Sequence, residues 1–217
     1  MSVLNERLEK HIDLLLSRYP QLACVRDGIV KGYEIMEACY RRGGKVLIAG
    51  NGGSAADAEH IVGELMKGFC NPRPVPADYA AALTAVDAEM GAVLAKQLQC
   101  ALPAIALDGH FALSTAFCND CEPQLAFAQQ VNGYGNAGDV LLGISTSGNS
   151  KNVLYAATVA KARGMQVVGL TGERESALSK MADACVRVPE RETYMVQELH
   201  LPIYHCWCLM IEESFFG

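Results

Sequence analysis

Five short apolar runs alternate with helical segments along the 217-residue chain. The runs cover residues 45–49, 103–107, 140–145, 166–170 and 185–188. None shows the polar–apolar alternation of a half-exposed strand, so each is typical of a strand covered on both faces. Strands that alternate with helices form a doubly wound parallel sheet with right-handed crossovers. The sequence therefore predicts an α/β fold with ligand-binding loops after the strands.

Helical periods fill the rest of the chain. Apolar residues recur every three or four positions before and after Pro20, which predicts two N-terminal helices within residues 1–42. Further helices are predicted at 54–67, about 78–99, 111–118, 123–131, 149–163, 176–182 and 192–215. Pro202 falls inside the last of these, where it should kink the helix or start a new one.

Composition and charge exclude several classes of function. With 51% hydrophobic and 19% charged residues, the chain is expected to fold as one domain over residues 1–217. A net charge of −6 gives no basic field, so nucleic acid and anionic membranes are not expected partners. No run reaches the roughly 20 apolar residues of a spanning helix.

The cysteines and the first residues bear on the compartment. The N-terminus lacks the basic start and apolar middle of a signal peptide, so a cytoplasmic protein with reduced cysteines is expected. Cys118 and Cys121 form one C-x-x-C pair among nine cysteines. Without a second pair it is weak support for a redox or zinc site.

Two loops after predicted strands are suited to bind an anion. Residues 50–54 (GNGGS) lead directly into a helix, whose start offers free backbone N–H groups, although tight packing alone could also require these glycines. Residues 145–150 (STSGNS) place four hydroxyls around one glycine before another helix. A helix cap needs only one hydroxyl, so this second loop favours a phosphate site built without lysine or arginine.

Polar side chains on two helices are candidates for chemistry. His60 and Glu64 are four residues apart and share one helix face, as a metal-ligand pair, an acid/base pair or a surface hydrogen bond would. Near the C-terminus a polar cluster interrupts an apolar helix, where its members either pair in the core or face a site. Its members are Gln197, Glu198, His200 and His205.

Three motifs together resemble one known family. Residues 50–64 (GNGGSAADAEHIVGE), 138–153 (GDVLLGISTSGNSKNV) and 197–205 (QELHLPIYH) resemble the sugar isomerase (SIS) domain family in its phosphoheptose isomerase branch. The resemblance implies a flavodoxin-like three-layer αβα sandwich around a five-stranded parallel sheet, and a homotetramer with active sites at subunit interfaces. It implies isomerisation of sedoheptulose 7-phosphate to D-glycero-D-manno-heptose 7-phosphate through an enediol.

The resemblance also assigns roles to individual residues. It implies that the phosphate is held by Ser145, Thr146, Ser147 and Ser150. It implies that the rest of the substrate is contacted by Asn51, Gly52, Gly53, Ser54, Asp120 and Gln197. Glu64 and His205 match the acid/base residues. The zinc ligands of some members are matched by His60, Glu64, Gln197 and His205.

The chain departs from this branch at two places. Tyr194 stands where phosphoheptose isomerases have an aspartate that contacts the sugar, which leaves another ketose phosphate open as the substrate. Residues 70–100 form an extra segment with helical spacing, which would either pack on the domain or cover the site. Two further alternatives are a scaffold that binds the replication initiator and a phosphosugar sensor without turnover. A scaffold has no physical need for His60, Glu64, Gln197 and His205.

Overall fold

The predicted α/β fold is confirmed in a computed structural model, which describes residues 4–217. Five strands form one parallel sheet in the order β2-β1-β3-β4-β5. These strands are β1 (Val46–Ala49), β2 (Ala104–Ala106), β3 (Val140–Ile144), β4 (Gln166–Thr171) and β5 (Ala184–Arg187). β1 and β3 are fully buried, as their unbroken apolar runs predict.

Ten α-helices within the described residues surround this sheet. They are α1 (Glu6–Arg18), α2 (Arg26–Arg41), α3 (Gly53–Met66), α4 (Ala77–Val86), α5 (Ala88–Gln97), α6 (Phe111–Asp120), α7 (Ala126–Tyr134), α8 (Lys151–Ala162), α9 (Ala177–Met181) and α10 (Thr193–Phe216). Short 3-10 turns at Pro20–Val25, Leu107–Gly109 and Pro123–Leu125 connect them. None of these helices combines the length and apolar character needed to cross a bilayer.

The core has one apolar cluster on each face of the sheet, which is the arrangement of a three-layer sandwich. Trp207 on α10 fixes the contact between α10 and α2. Its Nε1 donates to the Ile29 carbonyl at 2.8 Å, and its ring lies where a side chain on Gly32 would be. A Cβ on Gly32 would come within 2.7 Å of that ring, so the close approach of the two helices requires glycine.

Two predictions of helix boundaries differ from what the described residues show. No new helix starts at Pro202, because α10 is one continuous helix in which burial of twelve residues offsets the roughly 3 kcal/mol that an interior proline costs. The single helix expected near residues 78–99 is two helices. Asp87 ends α4, and its carboxylate accepts from the backbone N–H groups of Glu89 and Met90, which caps the start of α5.

A buried ion pair anchors the chain that follows α3. The Glu212 carboxylate accepts from the backbone N–H groups of Phe69 and Cys70, each at 2.7 Å, and from Arg73 Nε at 2.8 Å. Both partners of the Arg73–Glu212 pair are essentially inaccessible to solvent. This network holds Phe69 against α10, where its ring lies 5.6 Å from that of His205.

Candidate active site

The order of the strands identifies where a ligand should bind. β2 lies on one side of β1 and β3 on the other, so the loops after β1 and β3 diverge around a crevice at the carboxyl ends of the strands. Asn51 in the first loop and Asn152 in the first turn of α8, directly after the second loop, form a reciprocal pair of amide hydrogen bonds of 3.0 and 2.7 Å. The two loops predicted to bind an anion therefore form one site.

A cavity of about 370 Å³ opens at this crevice. It is lined by Asn51, Gly52, Gly53, Ser54, Ile144, Ser145, Thr146, Ser150, Thr193 and Gln197. Of the residues expected to bind substrate, Ser147 and Asp120 do not line it. Ser147 lines an adjacent cavity of about 550 Å³, whereas Asp120 is exposed at the end of α6, where it accepts a hydrogen bond from Asn119.

The hydroxyl-rich loop is closed by its own side chains. The Ser145 and Ser150 hydroxyls lie 2.9 Å apart, so Ser150 does not cap α8 although it stands at the capping position. Gly148 has a φ of +65°, and a Cβ there would lie 2.0 Å from Ser176 Oγ. Only glycine therefore fits this turn. Because Ser150 does not cap α8, the first backbone N–H groups of this helix receive no hydrogen bond from its hydroxyl.

The start of α3 forms the opposite wall of the cavity. Gly52 has a φ of +57° and precedes the helix, which likewise begins without a side-chain cap. A Cβ on Gly53 would lie 2.6 Å from Nε2 of Gln197. Glycine at this position thus lets the α10 amide reach the first turn of α3, where backbone N–H groups and the helix dipole favour an anion.

Further along α3 and α10 lies a cluster of titratable side chains. His60 Nε2 is 3.2 Å from Oε1 of Glu64, and Lys67 Nζ is 3.2 Å from the other carboxylate oxygen. The rings of His60 and His205 are perpendicular, with centroids 4.9 Å apart. The structure therefore brings together both residues expected to act as acid and base, Glu64 and His205.

Burial alters the acid–base character of this cluster. Burial, followed by the nearby His60, lowers the pKa of His205 below its ordinary value, and Glu64 offsets part of this effect. The Nε2 atom of His205 is buried and has no hydrogen-bond partner among the described residues. The lowered pKa of His205 favours the neutral imidazole, and its free nitrogen is what a general base or a metal ligand requires.

Sequence reasoning missed two residues of this cluster. The hydroxyl of Tyr204 donates to Asp57 Oδ1 at 3.1 Å and lies 3.1 Å from Nδ1 of His60. Burial raises the pKa of Asp57, and burial together with the Asp57 charge raises the pKa of Tyr204 well above its ordinary value. Asp57 precedes His60 by three residues on the same helix face, which is the one sequence signal that could have identified it.

The predicted C-terminal polar cluster does not form as one group. Gln197 lines the cavity and His205 lies beside His60, but Glu198 is exposed and His200 is completely buried in the core. Gln197 and His205 are eight residues apart on one continuous helix, which separates their Cα atoms by about 12 Å. The cavity and the acid/base cluster are therefore neighbouring parts of one groove along α3 and α10.

The donor types in this groove suit zinc, which binds imidazole nitrogens and carboxylate oxygens. The free buried nitrogen of His205 fits such a role. As the side chains stand, no three His, Cys, Asp or Glu residues among residues 4–217 are gathered to hold a metal ion. Ligation by His60 and Glu64 would replace the direct contact between them.

Comparisons with known proteins agree with this geometry. The family model of the SIS domain matches residues 103–211. A phosphoheptose isomerase of Burkholderia pseudomallei (strain 1710b) is 40% identical over 187 residues, which is 85% of this chain and 82% of that protein. A phosphoheptose isomerase of Aneurinibacillus thermoaerophilus is 33% identical over 220 residues, covering 98% of this chain and 96% of the relative.

Solved structures give the same result. A phosphoheptose isomerase from Neisseria gonorrhoeae has a TM-score of 0.72 at 32% identity and covers 97% of this chain and 100% of its own. One from Francisella tularensis has a TM-score of 0.74 at 31% identity, with coverages of 98% and 100%. The parallel sheet and its hydroxyl-rich loop thus define a SIS domain protein. Within that class, the chain belongs to the phosphoheptose isomerase family.

Proposed function

We propose that the chain is a phosphosugar isomerase that interconverts sedoheptulose 7-phosphate and D-glycero-D-manno-heptose 7-phosphate. One observation carries the proposal: α3 begins at a cavity with a hydroxyl-rich anion loop and, about three turns later, presents Glu64 beside His60 and His205. A sugar phosphate held by its phosphate at the cavity would extend along the groove toward these side chains. Relatives that bear the name phosphoheptose isomerase support the same activity.

The phosphate would be held without lysine or arginine. Hydroxyls of Ser145, Thr146, Ser147 and Ser150 and the N–H groups at the start of α8 supply neutral donors. Asn51, Ser54 and Gln197 would face the sugar. Because the net charge is −6, such local donors rather than a positive field must select the anion.

The reaction moves one proton between adjacent carbons. In the proposed mechanism Glu64 removes the proton from the carbon next to the carbonyl, the electron pair forms the enediol double bond, and Glu64 returns the proton to the neighbouring carbon. His205, neutral because burial lowers its pKa, would carry the proton between the two oxygens. Each acid or base typically contributes about 10²- to 10⁴-fold to the rate.

We further propose that zinc binds at His60, Glu64 and His205, with Gln197 as the fourth donor that the family resemblance implies. Bound zinc would polarise the substrate carbonyl. The proposal rests on the donor types, on the contacts among His60, Glu64 and His205, and on the buried free nitrogen of His205. Gln197 would have to extend along α10 to take part.

A cytoplasmic homotetramer with interfacial sites is also part of the proposal. The α4–α5 segment exposes apolar side chains, among them Val86 at 89% and Met90 at 63%, and Phe111 on α6 is 80% exposed. Such a large apolar surface is typical of a protein interface. Asp120, which lies outside the cavity of its own chain, would then act at the site of a neighbouring subunit.

All nine cysteines, which lie within residues 4–217, are free, which suits the cytoplasm.

The activity is tested with the purified full chain, prepared metal-free and then with defined zinc. Sedoheptulose 7-phosphate is added and the aldose product is followed by NMR, with fructose 6-phosphate and ribulose 5-phosphate as competing ketose phosphates. The proposal expects the highest kcat/KM for the heptulose. A higher kcat/KM for another ketose would transfer the assignment to that sugar, and no turnover of any of them would contradict it.

A further inference from the structure

Tyr204 and Asp57 form a hydrogen-bonded chain behind the acid/base cluster. The Tyr204 hydroxyl donates to Asp57 Oδ1 at 3.1 Å, and the same oxygen lies 3.1 Å from Nδ1 of His60. On its other side His60 Nε2 faces Glu64 at 3.2 Å. Tyr204 is 1% exposed, so water does not compete for these bonds. Four side chains thus follow one another in the order Asp57, Tyr204, His60, Glu64.

The number of protons in this chain determines the tautomer of His60. A phenol has one proton, and an ionised carboxylate can only accept, so the Tyr204 proton is committed to Asp57. The Tyr204 oxygen can then only accept from His60. The His60 ring therefore carries a proton on Nδ1, and whenever the ring holds a single proton its Nε2 lone pair faces the carboxylate of Glu64.

We propose that Tyr204 is a positioning residue that, braced by Asp57, keeps the proton of His60 on Nδ1 and directs the Nε2 lone pair toward Glu64. A bare imidazole nitrogen beside a carboxylate is a site for a cation, because two acceptors at this distance attract a positive charge placed between them. Hydrogen bonds of this kind to the far nitrogen of a ligand histidine fix its tautomer and strengthen it as a ligand. The inference extends the proposed function but concerns a property of the protein without substrate or metal.

The first test measures the tautomer directly. Long-range ¹H–¹⁵N NMR of the metal-free, full-length protein at about pH 8.5, above the ordinary imidazole pKa of about 6.5, distinguishes a protonated ring nitrogen from a bare one. His60→Gln identifies the His60 signals among the five histidines. We expect Nδ1 protonated and Nε2 bare in the wild type. A proton on Nε2 alone would overturn the inference.

Two variants then test which group sets the tautomer. Tyr204→Phe removes the acceptor, so the His60 proton should move to Nε2, where it can bind Glu64. Asp57→Asn keeps the Tyr204 phenol but replaces the carboxylate with an amide. The amide can donate to the Tyr204 oxygen, which frees the phenol proton to bond Nδ1 of His60. The His60 proton should therefore move to Nε2 in this variant too. Retention of the proton on Nδ1 in both variants would refute the proposed role, and Asp57→Asn alone decides the matter if Tyr204→Phe does not fold.

Tyr40→Phe is the matched control. Tyr40 is also a buried tyrosine, and its hydroxyl donates to the Pro103 carbonyl, away from the cluster. Loss of the Tyr40 hydroxyl should leave the His60 tautomer unchanged. A changed His60 tautomer in Tyr40→Phe would mean that general loosening of the core explains the effect.

Zinc affinity gives a second readout, measured by competition with a chromophoric chelator. Tyr204→Phe should weaken zinc binding about 10- to 100-fold, whereas Tyr40→Phe should not. Unchanged affinity in Tyr204→Phe would contradict the role in metal binding. Because the tautomer is read without substrate, a protein that shows the expected tautomers but does not isomerise a ketose phosphate would refute the proposed function and leave the inference standing.

Discussion

His60 Nε2 lies 3.2 Å from Oε1 of Glu64, which is one turn further along α3. Lys67 Nζ approaches the other carboxylate oxygen at the same distance. These two contacts hold the Glu64 carboxylate from both sides. Because the side chain is also only 13% exposed, it has little freedom to leave the groove. This fixed position makes Glu64 the side chain on which the proposed chemistry depends most.

Replacing Glu64 with Gln removes the proposed base while keeping its size. Turnover of sedoheptulose 7-phosphate should fall at least about 10²-fold, because an amide cannot accept the substrate proton. The fold should persist, since Glu64 is not part of the core clusters. Steady-state kinetics and circular dichroism check both points, and activity within a factor of two of wild type would rule out Glu64 as the base.

Loss of the paired hydroxyls should weaken substrate binding. Ser145→Ala and Ser150→Ala each remove one member of a 2.9 Å hydrogen bond at the phosphate loop. Each should raise KM about tenfold with a smaller effect on kcat, and the double variant should cost less than the sum because the two hydroxyls act together. Thr158→Ala, which removes an exposed hydroxyl on α8 away from the cavity, serves as the control. Equal KM values in all variants would argue against a phosphate site here.

The lowered pKa of His205 predicts where activity is lost in acid. A base works only when unprotonated, and burial keeps the pKa of His205 below its ordinary 6.5. The acid limb of the kcat/KM profile should therefore fall below pH 6.5, and His205→Gln should abolish this limb together with most of the activity. A limb of wild-type kcat/KM centred above pH 6.5 would be inconsistent with this role.

Stability in acid should depend on His200. Burial lowers the pKa of His200 to about 4 in the folded state, although the nearby Thr171 backbone offsets part of this effect. Neither ring nitrogen has a hydrogen-bond partner of normal geometry within residues 4–217. The unfolded chain binds this proton near pH 6.5. Stability should therefore be complete above pH 6.5 and decline as the pH falls toward 4, by about 3 kcal/mol.

Urea unfolding at several pH values tests this prediction. His200→Leu removes the titrating group from the core, so its free energy of unfolding should decline less between pH 6.5 and 4 than that of the wild type. The same decline in both proteins would assign the acid sensitivity to other groups.

The strands and their loops could be predicted because their signals are local. β1 at Val46–Ala49 and β3 at Val140–Ile144 coincide with the predicted apolar runs to within one residue, since a strand buried on both faces must be apolar throughout. The glycines and hydroxyls that follow them directly mark the site, because parallel strands end at the same edge of the sheet.

The remaining features depend on tertiary contacts that local patterns do not contain. Pro202 predicts a kink or a new helix, but burial of one face of α10 keeps a single continuous helix. In the sequence Tyr204 stands among the apolar residues of α10, and only the packing of α10 on α3 brings its hydroxyl to Asp57 and His60. The role of Asp120 depends on a neighbouring subunit, and the zinc site depends on a metal ion. Both therefore stay predictions.

Solvent deuterium incorporation tests the central claim most directly. The metal-defined protein is incubated with sedoheptulose 7-phosphate in heavy water, with Glu64→Gln in parallel, and NMR follows the product and the deuterium at the reacting carbons. An enediol mechanism with Glu64 as the base predicts aldose product deuterated at the carbon beside its carbonyl, and neither product nor exchange in the variant. Absence of product and of exchange in the wild type, with and without zinc, would contradict the account.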